Sequence, residues 1–429
     1  MTDEPRLQAE PRGGVPDVTS TIAGYQEVCE RFSAATGSLA ADAERASGFR
    51  YSHEDWLIQF KRDGAGIALL DPVALTMLGA DWNEFDDAVG DATWILHDSL
   101  QDLPGFADLG LRPTSLFDTE IAARLLGLHR FGLAAVTEHY LGITLAKEHS
   151  AADWSYRPLP RDWRNYAALD VELLIELERL MRADLKAHGK EQWAEEEFAY
   201  ALAEGTGPRK PHPVPWMRIS HINRLNRDMQ GLAIAKELWE ERDRLARQYD
   251  IAPALLLADS SIIEAALKKP RNAREFRAIR SLNERVRMNT GGEQDKMFER
   301  YAPIQRKVKP SVWRETIRRA LALKPDQWPV IPAPSRDEAN GGGGPRSLKV
   351  WEARHPERYE RLQRVRGVIN QIAEDTRTPP EIIIKPQIIR NLCWSEDPRR
   401  IDVADFLSAQ GAREWQVGLV AASVSRVIM

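Results

Sequence analysis

The sequence predicts an α/β domain built on a mixed sheet flanked by helices, followed by two all-α helical bundles. Three observations predict it. Three consecutive runs near the start, SLAADAE, WLIQFKR and GIALLDP, have strand character and are separated by polar or glycine-containing turns. Almost every stretch beyond residue 215 has helical period. Two breaker-rich segments divide the 429 residues into the three units that such a length suggests. Hydrophobic residues at 43% and charged residues at 29% exclude a mostly disordered, collagenous or membrane-embedded chain.

Residues 1–17 are polar, with proline and glycine, and are expected to form a mobile leader. Residues 18–204 make up the α/β unit: after the three strands, the end of DAVGDATWILH is a fourth strand, and DSLQDLPGFADLGL suits a helix entering a turn. Strands followed by alternating helix and strand patterns point to a sandwich around a mixed sheet. A linker at 205–215, rich in proline and glycine, precedes the first helical unit at 216–323. There GLAIAKELWEERDRLARQYD places Leu232, Ala235, Leu238, Trp239, Arg242 and Leu245 at spacings of three and four. A second linker, 324–347, ends near four consecutive glycines and is expected to be flexible; residues 348–429 form the second helical unit. The two helical units read as copies: Leu245-Ala246, the run from Pro253 to Leu257 and Ile262-Ile263 recur as Ile372-Ala373, Pro380 to Ile384 and Ile388-Ile389.

The net charge of −5 conceals an asymmetry. Residues 207–320 hold 25 Lys and Arg against 14 Asp and Glu, a net of +11 that leaves −16 for the rest. A basic module beside an acidic body suits an enzyme that holds a polyanion and keeps carboxylates for metal. With two distant cysteines, Cys29 and Cys393, neither a disulfide framework nor a cysteine zinc site is available, so a metal would take oxygen ligands. No apolar run is long enough to span a membrane and the start lacks a signal-peptide core, so a cytoplasmic protein with no membrane partner is expected.

Candidate chemistry lies in carboxylates. Asp42 and Glu44 flank Ala43 at the end of a strand, and period-two geometry puts both on one face. Tyr166 and Asp170, four apart in a helical pattern, share a helical face. Between them, His97 to Asp102 is a strand-to-helix junction offering Asp98 and Asp102. Each feature is common alone; their order is not.

In that order, and with LIQF, IALLDP, LHDSLQDL, DWSYRPL and YAALDVELL in register, the stretch from about Val18 to Ala203 resembles the ribonuclease D family. These are 3′-to-5′ exoribonucleases of the tyrosine-bearing branch of the DEDD superfamily, with a ribonuclease H-like exonuclease fold followed by HRDC domains. The resemblance implies catalytic and metal-binding roles for Asp42, Glu44, Asp102 and Asp170, and a catalytic role for Tyr166. Phe117-Asp118-Thr119-Glu120 spells a DTE closer to the family's usual first motif, but it follows the second-motif segment, so Asp118 is read as a helix N-cap or first-turn residue with a structural role. Asp102 is preferred to Asp98 because the family's second acid stands five residues after a His or Asn, here His97, itself read as a structural residue or one that supports a ligand rather than as a ligand. Relatives with a histidine base carry it five before the last acid, where this chain has Asn165; Tyr166 therefore indicates the tyrosine branch.

Two divalent ions, Mg2+ or Mn2+, roughly 4 Å apart, can activate water and stabilise the leaving oxygen of a phosphodiester. Asp42 would bridge both, Glu44 and Asp170 would complete the site of the attacking water, and Asp102 would act on the second. Tyr166, with an ordinary pKa near 10, would position that water rather than deprotonate it. The helical units resemble the HRDC fold, the second chiefly through the repeat and a terminal REWQ. In the first, Arg218, Arg224, Arg227, Lys268, Lys269, Arg271 and Arg274 are expected to contact RNA phosphates. The expected protein is a monomer without an obligate protein partner that trims 3′ ends of structured RNA such as tRNA precursors. The rivals are a 3′-to-5′ DNA exonuclease and an inactive RNA-binding protein.

Overall fold

A computed structural model describes all residues except 1–4, 147, 148, 150, 209–211, 288–292, 331–343, 346 and 429. Much of the expected 324–347 linker, part of the 205–215 linker and the start of the leader thus lie outside the described residues. Eight strands are present among those described: β1 (Arg6–Gln8), β2 (Val18–Thr19), β3 (Leu39–Arg45), β4 (Asp55–Arg62), β5 (Gly66–Leu70), β6 (Thr93–Leu96), β7 (Ser115–Asp118) and β8 (Ile143–Leu145). Six form one sheet in the order β2-β5-β4-β3-β6-β7. The β3, β4 and β5 meander is antiparallel, whereas β6 and β7 add in parallel after helical crossovers, so the sheet is mixed as expected. Leu39, Leu57, Ile58, Phe60 and Ile95 are fully buried, which fixes the register.

From Arg6 onward the segment expected to be a mobile leader makes regular contacts with the sheet domain. β1 pairs in parallel with β8, 137 residues later in the register of Arg6 with Ile143. Further along, Arg161 binds Glu10 at 2.9 Å, Arg164 binds the Pro16 carbonyl at 3.0 Å, and the Asn165 amide donates to the Ala9 carbonyl at 2.8 Å. The segment braces the back of the helix Arg161–Glu172, and a strand partner so far away in sequence cannot be read from local composition.

Beyond the sheet domain the chain is helical. The helices Met229–Tyr249 and Pro356–Thr376 are each 21 residues long and end on a left-handed residue, Asp250 or Arg377. Each leads to a proline-opened turn of helix, Pro253–Leu256 or Pro380–Ile383, and then to an extended residue, Leu257 or Ile384. The repeated sequence follows a repeated backbone path. Both bundles share apolar clusters with the sheet domain: Phe49 and Trp56 join the first, and Phe198 and Ala201 pack with the second. At the second interface Trp193 stacks on Trp415 with centroids 4.6 Å apart. The REWQ segment explains that contact: Arg413 pairs with Glu197 at 2.6 Å, and the Trp415 indole donates to Glu197 at 2.9 Å.

Candidate active site

Three carboxylates converge on the sheet. Asp42 and Glu44 alternate on one face of β3, opposite Gln59 and Leu57 of β4. The helix Arg161–Glu172 crosses that face and lowers Asp170 onto it, with Ala167 and Ala168 buried where helix and sheet approach. Ligand oxygens of Asp42, Glu44 and Asp170 lie within 4.8 Å of one another. Lys61 of β4 secures the end of the helix: its ammonium donates to the Glu172 carbonyl and lies 3.3 Å from the Glu172 carboxylate. A cation at a helix C-terminus satisfies an orphan carbonyl and suits the macrodipole.

Burial and mutual repulsion push the Asp42 and Glu44 carboxyls well above the ordinary range. The Gln59 amide donates to Asp42 and offsets this in part. The guanidinium that acts on both, Arg45, directs its bonds elsewhere, to Asp55 at 3.1 Å, to the Gln101 carbonyl and to Asp102. Asp102 stands at the start of the helix Leu103–Leu109, outside the trio; burial raises its carboxyl to about 6 against the pull of Arg45. A buried, mutually repelling set of hard oxygen donors is what a divalent cation would neutralise, so these residues fit a metal.

Tyr166 donates to Asp170, and burial, with Asp170, Glu44 and Asp42 nearby, drives its phenol far upward. The ring lies between Trp154, 6.2 Å away and tilted, and His149, 6.2 Å away and edge-on. The DWSYRPL segment forms this wall, held by Arg157, which bonds Asp71 at 2.5 Å and the Trp154 carbonyl at 2.7 Å. Asn165 is committed to the leader. His97 bonds Thr119 at 2.8 Å, and Asp118 caps the helix Thr119–Leu125 by accepting from the Glu120 and Ile121 amides. Asp98 takes a positive φ of 59° and its backbone N–H donates to Asp118 at 3.3 Å. Arg45, Gln59, His149 and Trp154 were not singled out from sequence, although Gln59 lies inside LIQF and Trp154 inside DWSYRPL.

Arg218, Arg224, Arg227, Arg271 and Arg274 are exposed, as is Lys268, which pairs with Glu264 at 2.6 Å. Lys269 is bound to Asp228 at 2.6 Å, which makes it a tie between the two basic segments rather than an open phosphate contact. That tie sits at the start of the Met229–Tyr249 helix; its other end docks on the sheet domain, where Asp250 accepts from the Tyr51 and Ser52 amides at 3.1 and 3.0 Å.

Comparison with known proteins agrees with this layout. Residues 17–186 match the family described as 3′-5′ exonuclease, residues 231–293 the HRDC domain, and residues 344–428 the 3′ to 5′ exonuclease C-terminal domain. The last unit thus has its own family description, distinct from HRDC. A ribonuclease D of Shewanella sp. (strain ANA-3) is 32% identical over 248 residues, 57% of this chain and 62% of that protein, so the chain spans under two thirds of that relative's length. A crystal structure of a protein from Bifidobacterium adolescentis is 68% identical, covers 99% of this chain and 100% of its own, and superposes with a TM-score of 0.94. Escherichia coli RNase D shares the fold at 22% identity, with 96% and 98% coverage and a TM-score of 0.60. Exonuclease, HRDC and C-terminal units thus follow one another in that order, on a fold shared with E. coli RNase D, and curated ribonucleases D are among the proteins this chain is similar to.

Proposed function

We propose that the protein is a metal-dependent 3′-to-5′ exoribonuclease that trims the 3′ ends of structured RNA, with tRNA precursors as the substrate class. The observation that carries this reading is the convergence of Asp42, Glu44 and Asp170 within 4.8 Å, beside Tyr166 on the same helix as Asp170. The curated relatives named ribonuclease D support the choice of RNA, and E. coli RNase D is described as an exoribonuclease involved in structured RNA processing.

Asp42, Glu44 and Asp170 would hold two divalent ions, Mg2+ or Mn2+, with Asp102 joining from the helix start. When bound, such ions supply an acidified water and neutralise charge on the leaving 3′ oxygen. The protein supplies placement. Tyr166 keeps its proton at neutral pH, so it orients a water by hydrogen bonding and takes no proton from it. Arg45 fixes Asp102 and Gln59 fixes Asp42, which keeps the oxygens facing one another before substrate arrives.

The test is digestion of a 5′-labelled tRNA with a 3′ extension, and of a single-stranded DNA, in magnesium, in chelator and with Asp42→Asn. The expected outcome is a ladder shortening from the 3′ end of the RNA, abolished by chelator and slowed roughly 1,000-fold by the substitution, since metal chemistry contributes several kcal/mol. DNA shortened in preference to RNA would make it a DNA exonuclease; RNA bound but never cleaved would make it a binding protein.

A further inference from the structure

The helical region contributes a wall to the active-site groove. Beside Glu44 and Asp102 lies a cavity of about 500 Å³ whose far side is formed by Gln294 and Phe298, from the helix Glu293–Glu299. That volume is within the range of pockets that hold small ligands. The helix and the two residues that follow it are anchored on the sheet domain at three points. Phe298 stacks on Phe49, with centroids 4.6 Å apart and an angle of 22°. The Tyr301 hydroxyl donates to Asp153 at 3.0 Å, and the Arg300 guanidinium lies 3.7 Å from the Tyr156 ring centroid. On its own side, Arg285 pairs with Glu299 at 2.6 Å, and Gln305 donates to the Leu255 carbonyl at 2.7 Å. These contacts hold one ring and one amide at a fixed place across the groove from two of the proposed catalytic carboxylates.

Resting on the exonuclease reading, we infer that Phe298 and Gln294 form a subsite for the bases of the last two nucleotides of the RNA. Phe49 covers one face of the Phe298 ring, while Phe298 itself stays half-buried at the groove. An aromatic ring beside a phosphodiester site stacks any base, because every base has a π-face. The Gln294 amide, which both donates and accepts, meets a base edge or a 2′-hydroxyl from the same wall. The HRDC match at residues 231–293 stops where this helix begins, so the subsite comes from the segment that follows the match.

The test compares the full-length protein with Phe298→Leu, which keeps an apolar contact to Phe49 but loses the flat ring, and with Phe298→Trp, which keeps one. Two RNAs are used, identical except that one has abasic sugars at its last two positions. On the ordinary RNA, Phe298→Leu raises KM about tenfold, in line with base stacking on aromatic side chains, and leaves kcat within about twofold. Phe298→Trp retains the parental KM, and Gln294→Ala raises KM about fivefold, the worth of one hydrogen bond. On the abasic RNA, parent and Phe298→Leu have the same KM. The inference is overturned if the Leu variant stays within about twofold of the parent on ordinary RNA, if it loses the same factor on both RNAs, or if the Trp variant is impaired as much as the Leu variant. A parent that shortens neither RNA in magnesium or manganese sinks the exonuclease reading and this inference with it, whereas a cleaving parent with unresponsive variants sinks this inference alone.

Discussion

Arg45 shows how the site depends on a residue that carries no chemistry of its own. It bridges two buried carboxylates, Asp55 and Asp102, and Asp55 is in turn locked: a Cβ on Gly105 would lie 2.0 Å from its carboxylate oxygen. Arg45→Met strips the cation from both acids, and a broken buried pair costs roughly 3 kcal/mol, measurable as a lower urea midpoint. The double variant Arg45→Met, Asp55→Asn should recover part of that stability, because one orphaned charge is gone. Both variants should need roughly 10- to 100-fold more magnesium for half-maximal RNA cleavage, the usual effect of losing a residue that orients a ligand. A magnesium requirement equal to the parent's would show that Asp102 needs no such support. The acids themselves were legible, since alternation along β3 and a spacing of four along a helix each put two groups on one face. Arg45 was not. The β3 register shifts between Glu44 and Arg45, and that irregularity breaks the alternation from which its direction would be read. Its partners, 10 and 57 residues away, emerge only with the fold.

At the scale of elements, the strands and long helices could be read in order because each has its own period. What could not be read were pairings between distant segments: the leader on β8, and the turn after Leu125 against the turn after Thr376. At the second of these, buried Lys190 donates to the Leu125 carbonyl at 2.6 Å and to the Thr378 hydroxyl at 2.9 Å. The turns approach so closely that a Cβ on Gly127, whose φ is +79°, would lie 2.2 Å from the Arg377 carbonyl oxygen. Burial lowers the Lys190 ammonium from 10.5 to about 8, with Asp184 opposing and Arg377 assisting. The unfolded chain therefore holds a proton between pH 8 and 10.5 that the folded one has released, and stability from this residue rises with pH across that window. Below pH 8 the cost of burying the charge is fully present. Urea unfolding of the parent should thus show an upward slope through that window relative to Lys190→Met, whose profile lacks it. Superimposable slopes would mean that Lys190 is not the titrating group.

Across the whole molecule, charge is separated from chemistry. The five exposed arginines flank the Lys269 to Asp228 tie at the start of the Met229–Tyr249 helix, while the end of that helix meets the sheet domain through Asp250 and through Ala252, whose amide donates to the Phe49 carbonyl at 2.8 Å. Twenty-one residues of helix span about 30 Å, so on the proposed function any phosphates held by these arginines would belong to RNA upstream of the scissile bond. Removing everything after residue 207 would not isolate this effect, because Phe49 and Trp56 would lose the apolar cluster that covers them. Neutralising Arg218, Arg224, Arg227, Arg271 and Arg274 to Gln leaves that cluster intact. Each lost phosphate contact should reduce the slope of log affinity against log salt by about 0.7 to 0.9, so the variant lacking all five binds a 3′-extended tRNA more weakly at low salt and converges on the parent at high salt. Cleavage of an RNA of a few nucleotides, too short to reach the patch, should keep its parental rate. Parallel salt plots would remove these arginines from the RNA path and leave their charge as solvation of the helical surface.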